Sequence, residues 1–254
     1  MGKTKIDWAD RTWNPVTGCR HGCEYCYARR IAERFGNRYM PFGNDVNVLE
    51  ERVDGENGVD PYPFGFEPTF HRYRLDEPKR IKKPQTIFVC SMADLFGDWV
   101  PDEWIKAVFK ACEDAPQHRY LFLTKNPNRY NEIHVPVFTT DSFMGASATT
   151  QKQADSVSKA VADMSVIMSV MMRAFISIEP ILEPIVLRYP EFYHWVIVGS
   201  ETGNRKGKIV PEKAWIDTIV TQCRQWSVPI FMKESLRHLM DIDFVQEFPW
   251  EVAK

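Results

Sequence analysis

A chain of 254 residues with 44% hydrophobic and 26% charged content can bury a substantial core and has an ordinary globular composition. Its formal charge of −2 excludes a polycation, so a nucleic-acid contact would need a local basic patch. No apolar run approaches the roughly 20 residues that span a bilayer, and the opening MGKTKIDWAD lacks the apolar core of a secretion signal. Ile6 stands where a myristoylation signal wants Ser or Thr. A cytoplasmic location is expected. Six cysteines without a secretion signal argue against a disulfide framework, and Cys19, Cys23 and Cys26 serve as ligands more readily than as disulfide partners.

In chain order, an early strand near Trp13–Val16 leads into GCRHGCEYCYARR at 18–30, and a helix is expected through Ala28–Phe35. Residues about 36–70 are dense in Gly, Pro, Asn and Asp and read as an irregular insertion, either a lid or a surface loop. Next comes HRYRLDEPKRIKKP at 71–84, which carries Arg72, Arg74, Lys79, Arg80, Lys82 and Lys83 against two acids. A solvated basic loop is its first reading and a phosphate-backbone contact its second.

Short apolar runs at 86–92, 119–125, 143–149, 174–180, 195–201 and 229–235 read as buried strands. Helices are expected within 101–115, 149–172 and 211–226; the first and last open on Pro followed by acidic residues. Strand–helix alternation predicts an α/β fold with about seven mainly parallel strands. A TIM-like barrel, partly or fully closed, is preferred over a doubly wound open sheet. The chain reads as one domain, residues 1–254, with the insertion at about 36–70.

Ligands of such folds bind at the carboxyl ends of strands. Those ends carry Ser91 and Asp94, Thr124 and Lys125, Ser147 and Thr149, Ser177 and Glu179, Ser200 and Glu201, and Lys233 and Glu234. One mouth is expected to collect them beside the cysteine loop. Wet loop ends account for some of these residues. Glu179 and Lys233 each follow an apolar run and need partners if buried. Lys125 and Lys233 suit an anionic substrate, with salt bridges to Glu179 or Glu201 as their alternative role.

Cys19, Cys23 and Cys26 stand within eight residues, and the next cysteine is Cys90. Clustered thiolates select zinc, copper(I) or an iron–sulfur cluster. A structural zinc site wants four protein ligands, and His21, wedged between two cysteines, is an awkward fourth. Cys90, Cys112 and Cys223 form no second CxxC pair, and buried core positions are expected for them. A [4Fe–4S] cluster with three thiolates keeps one iron open for a ligand. A metal-binding or iron–sulfur module without radical chemistry remains the alternative.

The spacing C-x3-C-x2-C, with Tyr25 before the third cysteine, resembles the cluster motif of radical S-adenosylmethionine (SAM) enzymes. The stretches KTKIDWADRTWNPVTGC, CYARRIAERF, LDEPKRIKKP, SMADLFGD, LTKNPNR, IEPIL, WVIVGSETG and VPIFMKE are similar to a radical-SAM-type family common in phages and prophages. Spore photoproduct lyase, a radical SAM enzyme acting on DNA, is more distantly similar. This chain departs from the phage pattern at Thr149, where others carry Glu, and at Ser200.

The resemblance implies a partial (β/α)6-type barrel and a [4Fe–4S] cluster on Cys19, Cys23 and Cys26. SAM would sit on the open iron and be cleaved to a 5′-deoxyadenosyl radical that abstracts hydrogen from substrate. It implies Ser91 and Asp94 for the methionine amino group, Ser147 and Glu179 for ribose, and Tyr25 or Tyr27 with the segment 197–201, ending at Glu201, for adenine. Lys125, Glu179 and Lys233 become the catalytic candidates facing substrate. The implied partners are an external one-electron reductant and a small-molecule, nucleotide or nucleic-acid substrate, with no membrane; the sequence sets no oligomeric state.

Overall fold

The computed structural model describes residues 1–36, 47–55, 58–133, 141–167 and 173–251. The chain divides into two compact units, Met1–Ser142 and Phe143–Lys254. The first carries β1 (Gly2–Lys3), β2 (Arg11–Trp13), β3 (Val16–Thr17), α1 (Tyr27–Phe35), β4 (Asn47–Leu49), β5 (Val53–Gly55), β6 (Gly58–Asp60) and β7 (Thr69–His71). It continues with β8 (Thr86–Val89), α2 (Asp102–Glu113), β9 (Arg119–Thr124) and the short α3 (Arg129–Glu132).

Strands β2, β8 and β9 are parallel neighbours in that order, with β1 antiparallel beside β2. Every residue of β8 is buried, as expected of a parallel strand covered on both faces. Helix α2 starts after Pro101 with Asp102 and Glu103 in its first turn, which suits the positive end of the helix dipole. It buries Trp104, Ile105, Val108, Phe109 and Cys112 at helical spacing. Phe96 centres the aromatic core, 4.5 Å from Tyr130 and 6.1 Å from both Phe109 and Phe122 between ring centroids.

The expected insertion is less irregular than its composition suggests. Strands β3, β7 and β4 form a small sheet and β5–β6 a hairpin. These strands are two or three residues long, too short to print a period of two on the sequence. Residues 37–46 and 56–57 of that stretch lie outside the described residues.

The second unit carries β10 (Ser142–Ala148), α4 (Gln151–Ile167), β11 (Arg173–Ile178), β12 (Trp195–Val198), α5 (Lys213–Gln225), β13 (Ile230–Met232) and the short α6 (Arg237–Met240). Its four strands are parallel neighbours in sequence order. Alternation gives this sheet two different faces. One bears Ala146, Ala148, Ile176, Ile178, Val196, Val198, Ile230 and Met232, packed with Val157 and Val161 of α4 and Ile216, Ile219 and Cys223 of α5. The other reads Phe143, Gly145 and Ser147 on β10, Phe175 and Ser177 on β11, Trp195 and Ile197 on β12, and Phe231 on β13. At its amino end Trp250 packs 5.7 Å from Phe143 and 5.3 Å from Trp195, and Phe248 lies 5.1 Å from Phe231. Aromatic residues thus fill one end of this face, and polar ones occupy the carboxyl end.

Parallel strands alternating with helices in both units give the α/β class that the sequence led us to expect. No described helix is long and apolar enough to cross a membrane.

Candidate functional site

The cysteine loop leaves β3 through Gly18 and ends at α1. Gly18 has φ +88°, and a Cβ there would lie 2.2 Å from the Glu67 carbonyl oxygen, so the loop can start only on glycine. The Gly18 N–H donates to the Met92 carbonyl at 2.9 Å, which lays the loop beside the segment after β8. Cys26 ends the loop as the N-cap of α1, its sulfur accepting the Arg29 N–H at 3.4 Å. Cys19, Cys23 and Cys26 are free and half-buried. Burial pushes the Cys19 thiol up to about 12; a backbone hydrogen bond at His21 opposes this, and Asp94, Cys23 and Cys26 add to it.

The donor set fits a metal that prefers sulfur: three free thiols on one loop. A metal would draw off the proton that burial retains on Cys19. The sulfurs are not drawn into a coordination shell here, since no group of three or more His, Cys, Asp or Glu among the described residues is arranged to hold a metal ion.

Two side chains between the cysteines are tied down. His21 Nε2 lies 2.7 Å from Asp94 Oδ2, and its ring meets Trp99 edge-on at 4.9 Å. The Tyr25 hydroxyl accepts from Lys125 Nζ at 3.4 Å, with the ammonium 5.5 Å from the ring centroid. Asp94 is the common node, 5% exposed. Its Oδ1 accepts from Thr124 Oγ1 at 2.7 Å and the Phe96 N–H at 3.0 Å, and its Oδ2 from the Lys125 N–H at 2.8 Å. Both oxygens are engaged within the protein. A methionine ammonium would have to share them.

Ser91 donates its hydroxyl to Asn14 Oδ1 at 3.2 Å, the Met92 N–H reaches the same oxygen at 3.0 Å, and the Ser91 carbonyl accepts from Tyr27 Oη at 2.7 Å. Sequence reasoning missed Asn14. Its signal was the Asn14–Pro15 pair at a strand end, a turn mark with a polar side chain. Cys90 opens this segment at φ +58° and is buried, which pushes its thiol up to about 12. Cys112 and Cys223 are core residues of α2 and α5.

In the second unit, Ser147 is half-buried and in register with buried Ser177. The Gly199 and Lys233 N–H groups extend the strand ladders, donating to Ile178 and Val198 carbonyls. Lys233 Nζ pairs with Glu179 Oε1 at 2.5 Å. A Cβ on Gly199 would come within 3.0 Å of Lys233 Cδ and 3.3 Å of Glu179 Cγ, so this glycine leaves room for the pair.

Glu201 is buried, and Arg205 grips both its oxygens at 2.6 and 2.7 Å. Ser200 bonds Ser235 through its N–H and its hydroxyl. Gln153 Oε1 accepts from the Thr149 N–H and hydroxyl at 2.8 and 2.9 Å, which ties the end of β10 to α4.

Part of the basic stretch is used internally. Arg74 donates to the Asn14 carbonyl at 3.0 Å and lies over Tyr73, and Arg72 pairs with Glu50 at 2.5 Å.

A family model described as "Protein of unknown function (DUF5131)" matches residues 3–242. No curated protein matches the chain. Two solved structures are similar: a cysteine-to-alanine mutant of spore photoproduct lyase with dinucleoside spore photoproduct, and spore photoproduct lyase complexed with dinucleoside spore photoproduct. The first has a TM-score of 0.55 at 11% identity, covering 91% of this chain and 79% of that one. The second has a TM-score of 0.54 at the same identity and coverage. At this identity the likeness concerns the fold.

Proposed function

The chain belongs to the family described as "Protein of unknown function (DUF5131)", and we propose that it is a radical SAM enzyme. One observation carries the reading: three free thiols, Cys19, Cys23 and Cys26, on a loop that ends as the cap of a helix. These residues would hold a [4Fe–4S] cluster with one iron left for SAM. A reduced cluster there would supply the single electron that cleaves the SAM sulfonium, and with it the chemistry of hydrogen-atom abstraction from substrate.

The chain's own part is binding and orientation. Asp94 holds His21, and Lys125 holds Tyr25, so both side chains between the ligands have fixed directions. Ser91 and Asp94 are the proposed groups for the methionine amino end. Ser147 and Glu179 are proposed for ribose, and Tyr25 and the segment ending at Glu201 for adenine. Lys125 and Lys233 would face an anionic substrate. We favour a nucleotide or nucleic-acid substrate, because both solved structures of similar fold carry a dinucleoside. A partial (β/α)6-type barrel in one domain and an external one-electron reductant belong to the same proposal.

The test is anaerobic reconstitution with iron and sulfide. The expected result is a broad visible band and, after reduction with SAM, release of 5′-deoxyadenosine. Cys23→Ala should abolish that release while the far-UV dichroism stays that of the folded chain. A colourless zinc protein, or a coloured one that never yields 5′-deoxyadenosine, would establish the binding-module reading instead.

A further inference from the structure

Helix α1 buries only Ala28 and Ala32 among its nine residues. Tyr27, Ile31 and Phe35, spaced four apart on one stripe, are 47%, 36% and 59% exposed. An apolar stripe ordinarily faces a core. Of the ten exposed large hydrophobic side chains among the described residues, three sit on this one helix, which is a patch rather than scatter.

The charges beside the stripe are Arg29, Arg30 and Arg34 against Glu33, with no lysine. Arg30 and Arg34 are exposed, and the Arg34 guanidinium lies 5.2 Å from the Phe35 ring centroid. Arginine with Tyr and Phe is the composition of protein interfaces, where lysine is depleted. The face is cationic on a chain whose formal charge is −2, so it complements an acidic partner. Its position is specific too. The helix begins at Cys26, and nine residues rise about 13 Å, so the whole stripe stays near the third thiol.

We propose that this face of α1 docks an acidic protein that delivers single electrons to the metal site. The inference rests on the radical reading above and adds the surface through which the reductant works. Hydrophobic contact through Ile31 and Phe35 would hold the complex, and Arg30 and Arg34 would steer and orient it.

The experiment uses the full chain with its reconstituted cluster and follows bleaching of the visible band in a stopped-flow instrument. Two reductants are compared: dithionite, which needs no docking, and a photoreduced acidic flavodoxin as the protein probe. The variants are Ile31→Gln with Phe35→Gln, and Arg30→Glu with Arg34→Glu. Iron content and melting temperature matching the wild type show that they fold and load. The expected result is unchanged dithionite reduction with flavodoxin reduction slowed about tenfold or more. The arginine variant should also lose the salt dependence of that rate.

Wild-type flavodoxin rates in both variants overturn the proposal, as does a wild type that flavodoxin cannot reduce. It also falls if the chain sediments as a dimer that the apolar variant splits while flavodoxin rates hold. Loss of binding to a single-stranded oligonucleotide, with flavodoxin rates intact, overturns it in favour of a nucleic-acid face. If dithionite bleaches no cluster in the wild type, the radical reading itself fails. Flavodoxin failure with dithionite success sinks only the docking surface.

Discussion

Asp94 concentrates more hydrogen bonds than any neighbouring carboxylate needs for solubility. Four donors converge on its two oxygens: Phe96 N–H, Thr124 Oγ1, Lys125 N–H and the His21 ring. A carboxylate has about four acceptor positions, so its capacity is filled. Asp94→Asn keeps the shape but turns one oxygen into an NH2, which sets donors against donors in a buried place. Leaving one or two of them unsatisfied should cost about 2–4 kcal/mol. His21 would lose its tether, and the loop it belongs to would be less prepared to gather three thiols. Ser91→Ala is the contrast, because it removes a single bond to Asn14 and should cost about 1 kcal/mol. Urea unfolding and iron bound per chain after reconstitution read both effects. Asp94→Asn matching the wild type in both would mean that the node holds nothing.

The second unit's parallel strands show how one sheet face is built for two purposes. Its amino end must be solid, and Gly145 is where two strands' side chains share space. A Cβ there would lie 2.1 Å from Phe175 Cζ, and Phe175 is fully buried against Trp195. Gly145→Ala should therefore overpack the face and cost about 1–3 kcal/mol, read as a lower urea midpoint with an unchanged slope. A wild-type midpoint would mean that Phe175 has room to move.

Parallel strands of both units show why this layer was legible. Ile87–Val89 of β8 and Trp195–Val198 of β12 are buried at every position, so each appears in the sequence as an unbroken apolar run. The strands end sooner than the expected runs; the expected strand 195–201 stops at Val198, and beyond it the Ser200 N–H donates to Ser235 Oγ. The cysteine loop was legible because ligand spacing is local. The contacts of His21 with Asp94 and Ser91 with Asn14 were not, since 73 and 77 residues separate the partners and no periodicity encodes such a pair. Lys233 needed a partner by its position alone, but only the backbone paths past Gly199 bring it to Glu179.

For the whole molecule, 32 basic and 34 acidic residues nearly cancel, so acid sensitivity should come from particular buried groups rather than net repulsion. His71 is the strongest of them. Its ring is fully buried, with Nε2 2.8 Å from Thr17 Oγ1 and Nδ1 3.4 Å from the Tyr73 hydroxyl. Burial, helped by the Arg74 charge, holds it down to about 2. In the unfolded chain the same ring titrates near about 6.5. Above that value both states are neutral, and the folded chain has its full stability. As pH falls below it, the unfolded chain takes up a proton that the native one refuses, and stability drops by up to about 1.4 kcal/mol per pH unit. The loss continues until the folded value is reached. His194 is shifted the same way by burial and by Arg173, and steepens the fall. By about pH 5 His71 alone should have removed about 2 kcal/mol, a sizeable part of an ordinary domain's margin. His71→Gln keeps a polar partner for Thr17 without a titrating ring. Urea midpoints at about pH 7.5 and about pH 5 should show a variant that starts less stable and loses less on acidification. Equal losses in the two proteins would take His71 out of the account and leave the acid response to His194 and the paired carboxylates.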